Sequence, residues 1–264
     1  MSAGSVPRTI RLDLAYDGTG FHGWARQRDP SVRTVEGSLI AVLERVLRDD
    51  VRLSVAGRTD AGVHAAGQVA SLVTTSSVAP EKIQAAVNGA LAPEIVVARA
   101  ADVPAGFDAR FSAHAREYRY AIDVAAWPDP FTARWTWHRP GGLALGPMRA
   151  ASRTLVGEHD FASFCRHPGA GRSTVRDLQR LSVARAGDRF ELRFRANAFL
   201  HQMVRALVGT LVAVGDGRLE PAAVEEILRR RDRAGAPPVA PPHGLTLDRV
   251  VYRGARSPSG RVRP

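Results

Sequence analysis

Residues 56–72 read AGRTDAGVHAAGQVASL. Arg58 and Asp60 stand two positions apart, Gly57 and Gly62 flank them, and an apolar stretch follows. Glycine admits backbone angles that other residues avoid, so such a pair marks a tight turn or a place of close approach. A carboxylate held on a stiff turn can act as a nucleophile, a general base, or an electrostatic stabiliser of a cationic transition state. Arg58 would favour its ionised form by charge pairing. The plainer alternative is a turn aspartate that caps local N–H groups, with Arg58 in a surface ion pair. His64, in the same stretch, reads as a support for the loop's shape rather than a proton carrier.

The elements that must position this loop follow from hydrophobic period. Ile10, Leu12 and Leu14 alternate with polar neighbours over 9–18, as in a half-buried strand. Thr34 can cap a helix whose apolar positions are Val35, Leu39, Val42, Leu43, Val46 and Leu47. Strands are expected over 51–56, 67–75 and 94–100, with a helix opening at Pro80 and running to about Leu91. The second half repeats this rhythm. It predicts a strand over 116–124, a helix over 146–157 ending at a glycine, and a hairpin of 178–186 and 189–196 joined at Gly187-Asp188. A long helix capped by Asn197 then reaches Gly215, a short helix covers 221–230, and a last strand covers 247–252. Residues 125–131, 166–174 and 229–244 read as loose connectors. Halves at 1–112 and 113–252 imply an α+β fold with internal pseudo-symmetry around one extended, mainly antiparallel sheet. Residues 253–264 read as a disordered tail.

The long helix carries a second chemical signal. Phe199, Leu200, Met203, Val204, Leu207, Val208, Leu211 and Val212 form its apolar stripe, while His201, Arg205 and Gly209 form a separate line at every fourth residue. Gly209 would let another segment approach closely. An arginine on so apolar a helix needs a partner, and a carboxylate such as Asp60 is the natural one. Tyr118 and Tyr120 share a strand face by period two, so one can be core and the other site.

Composition bounds the partners. With 45% hydrophobic and 24% charged residues the chain is an ordinary globular sequence. No apolar run reaches membrane-spanning length, and the opening residues lack a signal-peptide pattern. Cys165 is the sole cysteine, which excludes an internal disulfide and a thiolate zinc cluster. A cytoplasmic location is the simplest reading. His159, Cys165 and His167 would need a distant fourth ligand to hold zinc, so no metal site is expected, and Cys165 and Phe161 are expected to pack. The net charge of +11 lies wholly in the second half: residues 1–112 carry 12 basic and 12 acidic residues, and 113–264 carry 25 and 14. Such a balance favours a polyanionic partner, because phosphate binding releases counterions. The competing explanation is compositional bias, since 36 of the 37 basic residues are arginine. Arg110, Arg116, Arg119, Arg166, Arg172 and Arg176 are the phosphate-contact candidates.

The loop does not stand alone. GRTDAGVHAAGQV (57–69) resembles the catalytic loop of the tRNA pseudouridine synthase A family, and LAYDGTGFHGWARQ (14–27) resembles that family's opening. VNGAL (87–91), FDARFSAHAREYRY (107–120), GEHDFASF (157–164), ANAFLHQMVRALVG (196–209) and APPHGLTL (240–247) follow in the family's order. The resemblance thus runs from about Leu12 to Leu247. Two positions depart from it: Ala25 replaces a common glutamine, and Ala70-Ser71-Leu72 stands where a histidine often precedes an aromatic residue.

The resemblance implies the pseudouridine synthase fold and a cofactor-free isomerase. It also implies a homodimer whose two chains jointly form a tRNA groove, acting on the anticodon arm at nucleotides 38, 39 and 40. There the uracil leaves its C–N link to ribose, turns, and rejoins through carbon. Asp60 matches the family's catalytic aspartate, which either bonds covalently to the sugar or base or assists glycal formation. Tyr118 matches the active-site tyrosine, its ring to stack on uracil and its hydroxyl to serve proton transfer at the ring carbon. Arg58 and Arg205 join this catalytic set, and Tyr118, Arg58, Arg110, His201 and Leu245 are the substrate-binding candidates. The chemistry is consistent with one acid. Breaking a glycosidic bond builds positive charge on ribose, which a carboxylate stabilises or captures, and no water needs activating because the detached base itself returns. A stacked uridine must be extruded first, and Arg58 is placed to hold it out. Two rivals stand beside this reading: a non-catalytic RNA-binding module, and a carboxylate glycosidase. The glycosidase would need a second acid near Asp60, which the loop lacks.

Overall fold

The computed structural model describes residues 6–166, 169 and 171–253. In chain order its elements are β1 (Arg8–Tyr16), α1 (Val35–Leu47), β2 (Ser54–Val55), β3 (His64–Thr74), α2 (Pro80–Leu91), β4 (Ile95–Val103) and β5 (Ala113–Asp123). There follow β6 (Trp137–His138), α3 (Leu145–Thr154), β7 (Gly157–Asp160), β8 (Val175–Ala186), β9 (Arg189–Ala196), α4 (Met203–Gly215), α5 (Ala223–Arg230) and β10 (Leu245–Tyr252). The described residues divide into two compact units, 6–114 with 247–253, and 115–246.

In the first unit the strands lie in the order β4-β1-β3-β10, with β2 paired to β3. β1 shows why. Ile10, Leu12, Leu14 and Tyr16 are all at most 4% exposed while Arg11, Asp13 and Ala15 are half-buried, the period of two expected from the sequence. Leu12 sits opposite Ala70 of β3 and Ala100 of β4, both pairings antiparallel. The Thr34 hydroxyl caps α1 by accepting the Gly37 amide, as its residue type predicts. Pro80 opens α2 at its first turn. Asn88 of α2 acts as a strand-edge mimic: its Oδ1 accepts the Val97 amide at 2.7 Å and its Nδ2 donates to the Val97 carbonyl at 3.0 Å. The end of the chain completes this unit. Gly67 meets the Asp248 backbone so closely that a Cβ would lie 2.4 Å from its oxygen. The Tyr252 hydroxyl donates to the Ala109 carbonyl at 2.7 Å.

In the second unit the order is β5-β9-β8-β7, antiparallel throughout, with the short β6 parallel to β5. The hairpin of β8 and β9 turns at Gly187, φ +58, as expected. α3 packs against both α4 and β8. The α+β, mainly antiparallel class read from the sequence is what each unit shows.

Several boundaries differ. Only Ser54–Val55 of the 51–56 stretch pairs as a strand, and β3 begins at His64, so the Asp60 loop feeds directly into it. α3 stops at Thr154, and Gly157, φ +119, instead opens β7. Asn197 does not cap α4. Its Oδ1 accepts the Asp177 and Ala198 amides at 3.2 and 2.7 Å, making 197–202 a separate turn, and the helix begins only at Met203. Phe199, Leu200 and His201 therefore lie outside the helix, and no helical line joins His201 to Arg205. Within α4 every residue but Arg205 is buried, so the stripe is a helix buried all round. The tail expectation for 253–264 lies outside the described residues apart from Arg253, as do residues 167, 168 and 170 of the 166–174 loop.

Candidate active site

Asp60 stands half-buried where the chain turns between β2 and β3, its carbonyl accepting the Val63 amide at 3.1 Å. Gly62, φ +76, completes the turn in a conformation that favours glycine. Gly57 does not share this angle among the described residues. Its contribution is its carbonyl, which accepts from Gln68 Nε2 at 2.7 Å.

Two layers grip the loop. Beneath it, Thr59 is buried with its hydroxyl 2.8 Å from that of Tyr16, which also accepts from Gln68 Nε2 at 3.2 Å. Burial pushes the Tyr16 phenol up to about 12, so it holds this network as a neutral hydroxyl. From the side, residues 17–24 lie directly against the loop. The Trp24 amide donates to the Thr59 carbonyl at 3.0 Å and the Gly62 amide to the Phe21 carbonyl at 3.3 Å. A Cβ on Gly18 would fall 2.1 Å from the Val63 oxygen, and one on Gly23, φ +89, 2.8 Å from the Thr59 oxygen. The same segment is tied to α1, whose Val35 and Glu36 amides donate to the carbonyls of Gly23 and Trp24. His64, 3% exposed, accepts the Gly18 amide on Nδ1 at 3.0 Å and so braces the loop, the supporting role read from the sequence. Tyr16, Gly18, Gly23 and Gln68 were not singled out individually by sequence reasoning. Their signal was the YDG…GW stretch and the strand period after the loop.

Arg58 is exposed, and no ion pair or hydrogen bond of its side chain occurs among the described residues. The expected Arg58–Asp60 pair is therefore not formed. Thr59 is pulled inward to Tyr16 while the neighbouring arginine is exposed.

The second unit carries the other candidates. Tyr118 of β5 is 7% exposed, and the Phe199 ring meets it edge-on with centroids 5.0 Å apart. Tyr120 is the core member of the pair: it is fully buried, its hydroxyl donates to the Pro241 carbonyl at 2.8 Å, and burial pushes its phenol far up. Arg205, half-buried, donates from Nε to the Ala240 carbonyl at 2.8 Å. One helical turn on, a Cβ at Gly209 would lie 2.0 Å from the Pro238 oxygen, the close approach its residue type implied. Leu245 is buried at the start of β10, and His201 is exposed.

The phosphate candidates divide. Arg110, Arg166 and Arg172 are exposed, Arg119 and Arg176 are half-buried, and Arg116 is only 8% exposed. Arg116 donates to the Asn197 carbonyl at 2.8 Å, so it is a structural arginine rather than a surface charge. Arg176 spends Nη1 on the carbonyls of Ser173 and Val175. Cys165 and Phe161 are buried as expected. The Ser71 departure is absorbed structurally, its buried hydroxyl accepting the Ala109 amide at 3.0 Å. No helix among the described residues is long and apolar enough to cross a membrane.

Comparison with known proteins gives this arrangement a family. A family model described as tRNA pseudouridine synthase matches residues 14–112 and 151–253. The chain is 43% identical to tRNA pseudouridine synthase A of Brevibacillus brevis over 245 residues, covering 93% of this chain and all of that protein. It is 48% identical to the protein of the same name from Frankia casuarinae, covering 92% and 89% of the two chains. For the Chloroflexus aurantiacus protein the figures are 44% identity and 97% and 91% coverage. A match over most of the sequence, with the Asp60 loop and its gripping segment inside it, means that the chain belongs to the tRNA pseudouridine synthase family.

Proposed function

We propose that this isomerase converts uridine to pseudouridine at nucleotides 38, 39 and 40 of the tRNA anticodon stem-loop, with Asp60 as the catalytic carboxylate. The observation that carries the reading is the loop itself. A half-buried acid is held by backbone bonds on one side and a Tyr16–Thr59–Gln68 network on the other. A carboxylate fixed in this way costs little to reorganise as charge develops on ribose. It can capture the sugar or stabilise it while the C–N bond breaks and the uracil turns to rejoin through C5. Tyr118 serves as the ring against the base, with its hydroxyl for proton transfer. Arg205 belongs to the catalytic set, and Arg110, His201 and Leu245 contact the substrate. The basic residues of 113–264 supply the attraction to tRNA phosphates. We propose further that the chain works as a cytoplasmic homodimer. The exposed rings of Trp127 and Phe131, at 84% and 85%, offer apolar surface for such pairing.

Incubation with an unmodified tRNA transcript followed by pseudouridine mapping tests the assignment. The expected product is pseudouridine at those three positions where uridine occurs; modification elsewhere only, or none, refutes it.

Arg58 has a distinct expected signature. Exposed and unengaged by the protein, it is suited to occupy the place of an extruded base. Arg58→Ala should lower kcat by about 10- to 100-fold while tRNA affinity changes by less than about threefold. Equal losses in both, measured by single-turnover kinetics and filter binding, would count against base extrusion.

A further inference from the structure

Arg116 and Tyr118 stand two residues apart on β5 and so project to the same face. They grip one short segment at two points. Arg116 Nη1 donates to the Asn197 carbonyl at 2.8 Å, and two residues further on, the Phe199 ring meets Tyr118 at an interplanar angle of 84°. The segment between β9 and α4 is fixed at both ends as well. Asn197 exchanges backbone and side-chain hydrogen bonds with Asp177, each 3.2 Å, and the Arg166 amide donates to the His201 carbonyl at 3.1 Å. Gln202 closes it at φ +62, an angle a non-glycine residue keeps only where its surroundings hold it. Phe199 itself is half-buried, neither a full core residue nor a solvated one.

A tyrosine ring is free to turn about its side-chain bonds unless a neighbour fixes its plane, and an edge-to-face partner does so directionally. We propose that Phe199 is a positioning residue: the clamped 197–202 turn presents its ring to set the plane of Tyr118 for the uracil. The inference rests on the reading of Tyr118 as the substrate-facing tyrosine. It also explains why an aromatic residue stands in a turn outside the helix instead of in the buried face of α4.

The test uses the full-length protein and a tRNA transcript, with pseudouridine formation followed under single- and multiple-turnover conditions. Phe199→Leu keeps apolar bulk but removes the ring edge, and Phe199→Tyr keeps the ring. The leucine variant should lose about tenfold in kcat with KM changed by less than about threefold, while the tyrosine variant recovers most of kcat. In a Tyr118→Ala background, with enzyme in excess so that slow rates are measurable, Phe199→Leu should add no further loss. A leucine variant with unaltered kcat, a loss in KM alone, or multiplying losses in the double variant would overturn the proposal. If Tyr118→Ala turned over normally, the role of Tyr118 would itself be wrong, a failure separable from that of Phe199.

Discussion

Asp60→Asn is expected to reduce pseudouridine formation by on the order of 10⁴-fold or more, the scale on which enzymes lose activity when a reacting side chain is removed. The substitution keeps size and planarity but removes the charge and turns one acceptor oxygen into an N–H donor. An amide oxygen neither bonds to an electrophilic carbon as a carboxylate does nor offsets positive charge building on ribose. The main-chain bonds of the loop do not involve the altered atoms: Val63 donates to the Asp60 main-chain carbonyl, Trp24 to Thr59, and Gly62 to Phe21. tRNA affinity should stay within a few-fold of the parent. The measurement is release of label from C5-tritiated uridine in a tRNA transcript, since that hydrogen leaves when the new carbon link forms. Turnover within tenfold of the parent would remove Asp60 from the chemistry.

What the sequence disclosed and what it hid have separate physical causes. The period of two in β1 and the Thr34 and Pro80 helix starts are local signals, written in residues next to one another, and they appear where expected. The turn that carries Asp60 was equally legible, because glycines around a charged pair are a local signal. Asn197 misled because a short polar side chain before an apolar run caps many helices. Here that side chain is committed to Asp177 across the β8–β9 pair, a contact between residues 20 apart in sequence. Arg116 misled similarly. It counts toward net charge like any arginine, yet the Asn197 carbonyl, 81 residues away, takes it out of solvent. The grip of residues 17–24 on the loop was hidden for the same reason, since it depends on which backbone atoms meet and not on any side-chain type.

That last feature supplies the second large expectation. Gly18→Ala should lower kcat by about 10²-fold, the cost of misplacing a reacting group by about 1 Å. The added Cβ would sit 2.1 Å from the Val63 oxygen, 2.6 Å from its carbonyl carbon and 3.1 Å from its nitrogen. All three are backbone atoms, so no rotamer change relieves the clash, and one main chain must withdraw from the other. The Gly18 side is poorly able to move, being bonded to His64 Nδ1 and set in a turn that Asp17 caps through Thr19. The displacement therefore passes to Val63, and through its amide to the Asp60 carbonyl. Overpacking of this kind costs about 1–3 kcal/mol of stability, enough to lower the melting temperature by several degrees without unfolding the protein. Gly89→Ala is the matched control. Gly89 lies within α2 with open space where its Cβ would point, so alanine there should leave kcat unchanged and raise stability slightly. The decisive comparison is between activity and melting temperature in the two variants. A Gly18→Ala protein that melts earlier yet turns over at the parental rate would show that catalysis tolerates a displaced loop, and would end the argument that this backbone contact positions the carboxylate.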